Sequence, residues 1–268
     1  MADDERLLDR IGKLLAQAEG TDNEHEADAF VTRAQELATS YAVDLESARA
    51  RQAARRGRPG PAEVFEQRRM AVGERGRRGN RQLILLYVVV AQANDVLVNV
   101  AQDSTFVIGF GHPADLDVVE RLWASLATQM AGGASRRLRA GEHRRAGAPA
   151  VSWRLSFYDG WLAAVQQRLA EARTRALRAV ADRSVSMKDG LADSGDPTQP
   201  GASCGELVLR AKADRVRQFH DGASQARGSW RGSRGSHQVS GPAWSSGHAD
   251  GQLARLGEPA VGQRRALG

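Results

Sequence analysis

The chain reads as a mainly α protein of the α+β class, with an N-terminal helical hairpin and a helical body that contains one small β-hairpin. Three observations lead there. Apolar residues recur at helical spacing through residues 7–18, 27–41, 116–130 and 153–180. Two short runs, Val96-Leu-Val-Asn-Val100 and Thr105-Phe-Val-Ile-Gly-Phe110, flank a polar Ala-Gln-Asp-Ser turn. Between these periodic stretches, glycine, proline and arginine dominate.

In the first segment Leu7, Ile11, Leu14 and Ala18 lie on one helical face, and Gly20 follows as a stop. Thr21 and Glu24 have capping-box spacing before a second stripe of Ala27, Phe30, Ala34, Leu37, Ala38 and Tyr41. Acidic residues early in that second helix suit the positive end of its dipole. Two helices this short are marginal alone, so the hairpin should pack on something.

The run Ile11-Gly-Lys-Leu-Leu-Ala-Gln-Ala-Glu19, then Glu26-Ala-Asp-Ala29 and Ala34-Gln-Glu-Leu37, resembles a bacterial and phage family known as domain of unknown function 2786. The likeness covers about residues 5–45 and departs from the usual pattern at Gly12 and Ala38. The resemblance implies an architecture, a helical hairpin with a variable companion region, and no activity.

From Arg49 to Arg81 there are eleven arginines against Glu63, Glu66 and Glu74, with many glycines and prolines, which predicts a mobile basic linker. Arg81 to Ala93 is apolar nearly all round and reads as a buried helix, although Leu-Tyr-Val-Val-Val also suits a strand. Pro113 fits a first helical turn, and the stripe from Leu116 to Met130 continues it. Ser135 to Gly147 reads as a second basic loop, and residues 151–182 as the longest helix. Asp189 to Ser203 breaks the chain. Glu206 to Arg210 suggests a short strand leading into a helix near Lys212 to Gln225, and Gly241 to Gly251 a short helix that packs closely through its glycines. The expected divisions are therefore 1–48, an acidic hairpin; 49–80, a basic linker; 81–182, an α-β-β-α-α body; and 183–268, a loop-rich region with short helices.

Charge is unevenly distributed. Residues 1–48 carry four basic and twelve acidic side chains, whereas the remainder carries 34 basic and 20 acidic, within an overall charge of +6. All basic residues except Lys13, Lys188 and Lys212 are arginine, a bias that a GC-rich genome would also produce. The lone Cys204, an acidic start and a longest apolar run of only Leu83 to Ala91 point to a cytoplasmic protein without a membrane span.

No motif for catalysis stands out. His25-Glu26 lacks the second histidine of a zinc-protease helix, and the six histidines show no ligand spacing, so neither metal nor cofactor is expected. Cys204, with His220 sixteen residues on, has the residue types of a thiol–imidazole pair, but a small apolar filler is the plainer reading. Gly109-Phe-Gly111-His112-Pro113 is a tight β-to-α turn whose Asp115 and Asp117 would cap the helix and repel an anion; two apart on a helix, they diverge.

The arginine groups remain. Arg55, Arg56, Arg77, Arg78, Arg136, Arg137, Arg144, Arg145, Arg231 and Arg234 are the candidate nucleic-acid contacts, the last two around Trp230, whose ring could stack on a base. Solvated linker arginine is the competing explanation. The expectation is a non-enzymatic accessory protein that touches DNA or RNA through these loops, with the acidic hairpin as a module for a protein partner. The alternatives are a protein–protein adaptor without nucleic acid and an enzyme of unrecognised type.

Overall fold

The computed structural model describes residues 6, 9–11, 13–14, 33, 35–44, 64–188, 204–232 and 239–254. Gly20, the Thr21–Glu24 capping pair, Arg55, Arg56, the 189–203 break and Arg234 lie outside the described residues. The fold class is as the sequence predicts, mainly helical with a small antiparallel sheet.

In chain order the elements are β1 (Glu66–Ala71), α1 (Asn80–Ala93), β2 (Leu97–Val100), β3 (Phe106–Gly111), α2 (Pro113–Arg139), α3 (Glu142–Arg145), α4 (Ala150–Lys188), α5 (Cys204–Ala223) and α6 (Gly241–Gln252). The apolar run after Arg81 is helical. Its length suits a buried helix, and Ile84, Leu86, Tyr87, Val90 and Ala91 are fully enclosed. α1 stops at Asp95, which adopts the left-handed conformation (φ 57°), while Val96 N–H closes back on the Ala91 carbonyl at 3.0 Å. This is the terminating geometry that usually takes glycine.

β2 and β3 form the expected hairpin, with Leu97 opposite Phe110 and Val100 opposite Val107. Part of the region read as a mobile linker is instead a third strand: β1 pairs with the other edge of β3, from Glu66–Gly111 to Ala71–Phe106. The sequence Glu-Gln-Arg-Arg-Met-Ala hid it because its inward positions hold Glu66, Arg68 and Met70 rather than three apolar groups. Arg68 bonds to Glu66 and, at 2.5 Å, to Asp117 of α2, with Glu120 at 3.4 Å. Those carboxylates hold the guanidinium more strongly in its charged form against the opposing cost of burial.

Two further expectations are corrected. Ser135–Arg139 is the last part of α2 and not a loop, and Glu142–Arg145 is one helical turn. Cations in a last turn complement the helix dipole, so an arginine run there supports a helix. Glu206–Arg210 is helical, inside α5, rather than a strand. Leu209 and Val216 repeat at a seven-residue interval and are both buried, a helical period the short apolar run obscured.

The core lies among α1, α2, α4 and the sheet. Trp153, Phe157, Trp161, Val165 and Leu169 of α4 are all but inaccessible. α6 is seated on α4 at backbone distance, as its glycines predict. A Cβ at Gly247 would fall 1.9 Å from the Phe157 carbonyl oxygen, and one at Gly160 2.0 Å from that of Trp244. Buried Arg168 finishes the arrangement by donating to the carbonyls of Gly251 and Ala254, both at 2.9 Å, at the C-terminal end of α6.

Tyr87 makes a testable exception to polar satisfaction. Its hydroxyl is enclosed without a hydrogen-bond partner, and burial, helped by nearby Glu120, pushes its pKa up to about 12. A group raised in the folded state contributes stability below its ordinary value near 10 and loses it as pH climbs towards 12. Urea midpoints of the wild-type protein should fall over that interval. Tyr87→Phe should remove this part of the slope at little cost near neutral pH, since no bond is lost.

Candidate functional site

The candidate arginines separate into three groups once their partners are known. Arg137 is committed internally: it donates to Asp250 at 2.5 Å and to Glu142 at 2.9 Å. That joins the end of α2 to α3 and α6. Arg145 donates to the Ala140 carbonyl at 2.8 Å, satisfying the end of its neighbouring helix. Arg136 and Arg144 are exposed at this same end of α2, beside helical carbonyls whose partial charge disfavours an anion.

The remaining group is assembled by the fold. Arg75, Arg77 and Arg78 occupy the turn between β1 and α1, Arg81 the first turn of α1, and Arg231 an irregular segment after α5; all five are exposed. Gly232 brings that segment against α1, since a Cβ on it would meet Arg81 Nε at 3.0 Å. Arg77 pairs with Glu74 at 2.9 Å, but both side chains are more than 70% exposed, so the pair is weak. Asp103, on the β2–β3 turn, has its carboxyl held below the usual range first by Thr105 and also by the Arg75 charge.

Beneath these arginines is a hydrogen-bonded junction. Ser104, buried and left-handed (φ 60°), accepts the Trp230 indole N–H on Oγ at 3.0 Å. Its carbonyl accepts Asn80 Nδ2 at 2.9 Å, and the same amide also reaches the Glu74 carbonyl at 2.9 Å. Trp230 is thus half-buried against the core. One part of its ring packs on the core and its N–H is used by Ser104.

A second feature was not foreseen. Lys212 of α5 is 3% exposed, with Nζ 2.7 Å from Asp115 and 3.9 Å from Asp95. Arg173 of α4 donates to Asp95 at 2.6 Å and to the Ala93 carbonyl at 2.6 Å. Burial raises the Asp115 carboxyl above its ordinary value, and Lys212 opposes that rise. Asp115 and Asp117 do diverge, yet neither caps α2; each serves an ion pair. Two cations meet two carboxylates, so the cluster is a balanced tie between helices.

Over this cluster lies the second helical stretch of the N-terminal region, residues 35–44. Gln35, Thr39 and Val43, four apart, are each buried. Gln35 Nε2 donates to Asn94 Oδ1 at 3.2 Å, and Glu36 meets Arg175 at 3.3 Å. Ala38, Thr39, Tyr41 and Ala42 close a cavity of about 20 Å³ whose other wall includes Asp95, His112, Asp115 and Lys212. That is room for about one water.

Residues 6–45 match a family model described as a protein of unknown function, DUF2786. The DUF2786 segment therefore contacts the body with Gln35 and Glu36, two residues of its own hallmark run. Ile11 from its first helical stretch is also enclosed in the main core. Compared with curated proteins and with solved structures, the chain matches none.

The other motifs resolve simply. Cys204 and His220 lie on one helix, where sixteen residues span about 24 Å, so they cannot form a catalytic pair. His220 instead contacts Asn99 at 3.0 Å and the Phe110 ring edge-on. Among the described residues no group of three or more His, Cys, Asp or Glu could hold a metal ion. Among them, too, no helix is long and apolar enough to cross a membrane.

Proposed function

We propose that the protein is a nucleic-acid-associated accessory protein, and that its phosphate-contacting surface is the group Arg75, Arg77, Arg78, Arg81 and Arg231. The observation that carries this reading is the approach of Gly232 to the Arg81 side chain, which brings the backbone next to exposed Arg231 beside an exposed arginine some 150 residues earlier. Guanidinium groups in that arrangement can each displace a condensed counterion from a phosphodiester backbone. The surface has no base-reading helix, so the reading is of binding with little sequence preference. Arg137 and Arg145 are no part of it. The N-terminal segment, acidic in sequence and held to the body by Gln35 and Glu36, is on this reading the module for a protein partner.

The test is anisotropy of labelled single strands and duplexes titrated from about 25 to 200 mM salt. Wild-type protein should show log K falling linearly with log salt, with a slope near −0.9 per duplex phosphate contacted. Arg77→Gln with Arg78→Gln should weaken binding equally across sequences and flatten the slope by about two. Arg137→Gln should lower stability while leaving the slope of the folded fraction unchanged. Binding that is insensitive to salt, or absent at the lowest ionic strength, refutes the proposal and favours the adaptor reading.

A further inference from the structure

We infer that Ser104 and Trp230 are positioning residues for the proposed nucleic-acid surface, locking Arg231 beside the Arg75–Arg81 turn so that the phosphate contacts are preorganised as one unit. This rests on the reading above and deepens it.

The argument starts from what each segment would do alone. The β1–α1 turn, the β2–β3 turn and the 224–232 segment are irregular backbone, and long arginine side chains on such backbone lose much conformational freedom when a polyanion orders them. Here all three converge on one buried serine. Its hydroxyl takes the Trp230 N–H, and its carbonyl takes Asn80, which also fixes the turn through the Glu74 carbonyl. Ser104 holds a positive φ that serine seldom adopts, and Gly232, two residues beyond Trp230, holds one as well (φ 73°). Strain at a non-glycine position persists where surroundings over-determine it. With Trp230 seated in this junction, Arg231 cannot leave the neighbourhood of Arg81.

A role confined to holding the fold would change stability alone. A positioning role also changes how Arg231 couples to binding, which a double-mutant cycle reads. Trp230→Ala releases the segment from one side. Ser104→Gly releases it from the other, keeps the left-handed backbone and provides a second route should the first variant fail to fold. Each is combined with Arg231→Gln in the full chain, and affinity for a labelled duplex is measured across the same salt series, with thermal melts confirming the folded fraction.

In the wild-type background Arg231→Gln should flatten the salt slope by about 0.9. In either release background it should do nothing further, because the contact is already lost, whereas Arg78→Gln should keep its full effect in all three. An Arg231→Gln effect of undiminished size in both release variants overturns the positioning role and leaves the binding proposal standing. Wild-type protein with no salt-dependent binding overturns the binding proposal itself, and the positioning role with it.

Discussion

Lys212→Met should lower the unfolding free energy by about 3–5 kcal/mol, the largest effect expected of any single charge among the described residues. Lys212 is 3% exposed and lies 2.7 Å from Asp115, so removing the ammonium takes from this buried carboxylate, which also faces Asp95, the cation that most stabilises its charge. The chain would respond by keeping Asp115 protonated further up the pH scale, beyond the rise burial already causes. The sign follows from linkage: a carboxyl raised in the folded state contributes stability below its ordinary range and loses it as pH climbs. The variant should therefore recover part of its loss in acid, measured as urea midpoints from neutral pH downwards. The double variant Lys212→Met with Asp115→Leu removes both charges and should return to within about 2 kcal/mol of wild type, since apolar replacement of a buried pair is often near neutral. A double variant as unstable as the single one would show that Lys212 acts by packing its stem and not by neutralising Asp115.

Gly247→Ala should be nearly as damaging, at about 3 kcal/mol or more, although it adds only one methyl to a surface helix. That methyl would lie 1.9 Å from the Phe157 carbonyl oxygen, and backbone cannot step aside as a flexible side chain can. α6 would have to lift from α4, taking Ala243 out of the core and the Gly251 carbonyl from Arg168. Gly222→Ala is the control: α5 has open space around that position, and the change should be neutral or stabilise by about 0.5 kcal/mol. Differential scanning calorimetry of the two variants decides this. If Gly247→Ala melts like wild type, the close seating of α6 is wrong.

The two cases differ in how legible they were. The α6 contact could be read in advance because Gly247-x-x-x-Gly251 places two residues without side chains on one helical face. The apolar periodicities of α2 and α4 were legible for the same reason. They repeat locally, and burial follows the repeat. β1 was not legible, because its inward residues include Glu66 and Arg68, whose charges are neutralised by each other and by Asp117 and Glu120 from another element. The run of Arg136, Arg137 and Arg139 reads as a loop by composition, whereas at a helix C-terminus it satisfies the dipole. Lys212 did leave a signal. It sits three residues after Leu209 and four before Val216, inside the apolar stripe of α5, and a lysine at a core position needs a buried carboxylate.

Taken alone, the amino-acid order determined that the periodic stretches 116–130 and 153–180 are helical, where the β-hairpin turns, that the N-terminal segment has the DUF2786 pattern, and that charge is split between an acidic head and a basic remainder. These are properties of neighbours along the chain, set by periodicity and composition. Only the tertiary structure decided which arginines are exposed, which are spent on the protein's own carboxylates and carbonyls, and that the Trp230 N–H is bonded to Ser104. Coulomb and hydrogen-bond partners are chosen by distance in space, and sequence separation carries almost no information about that distance once the chain has folded back on itself.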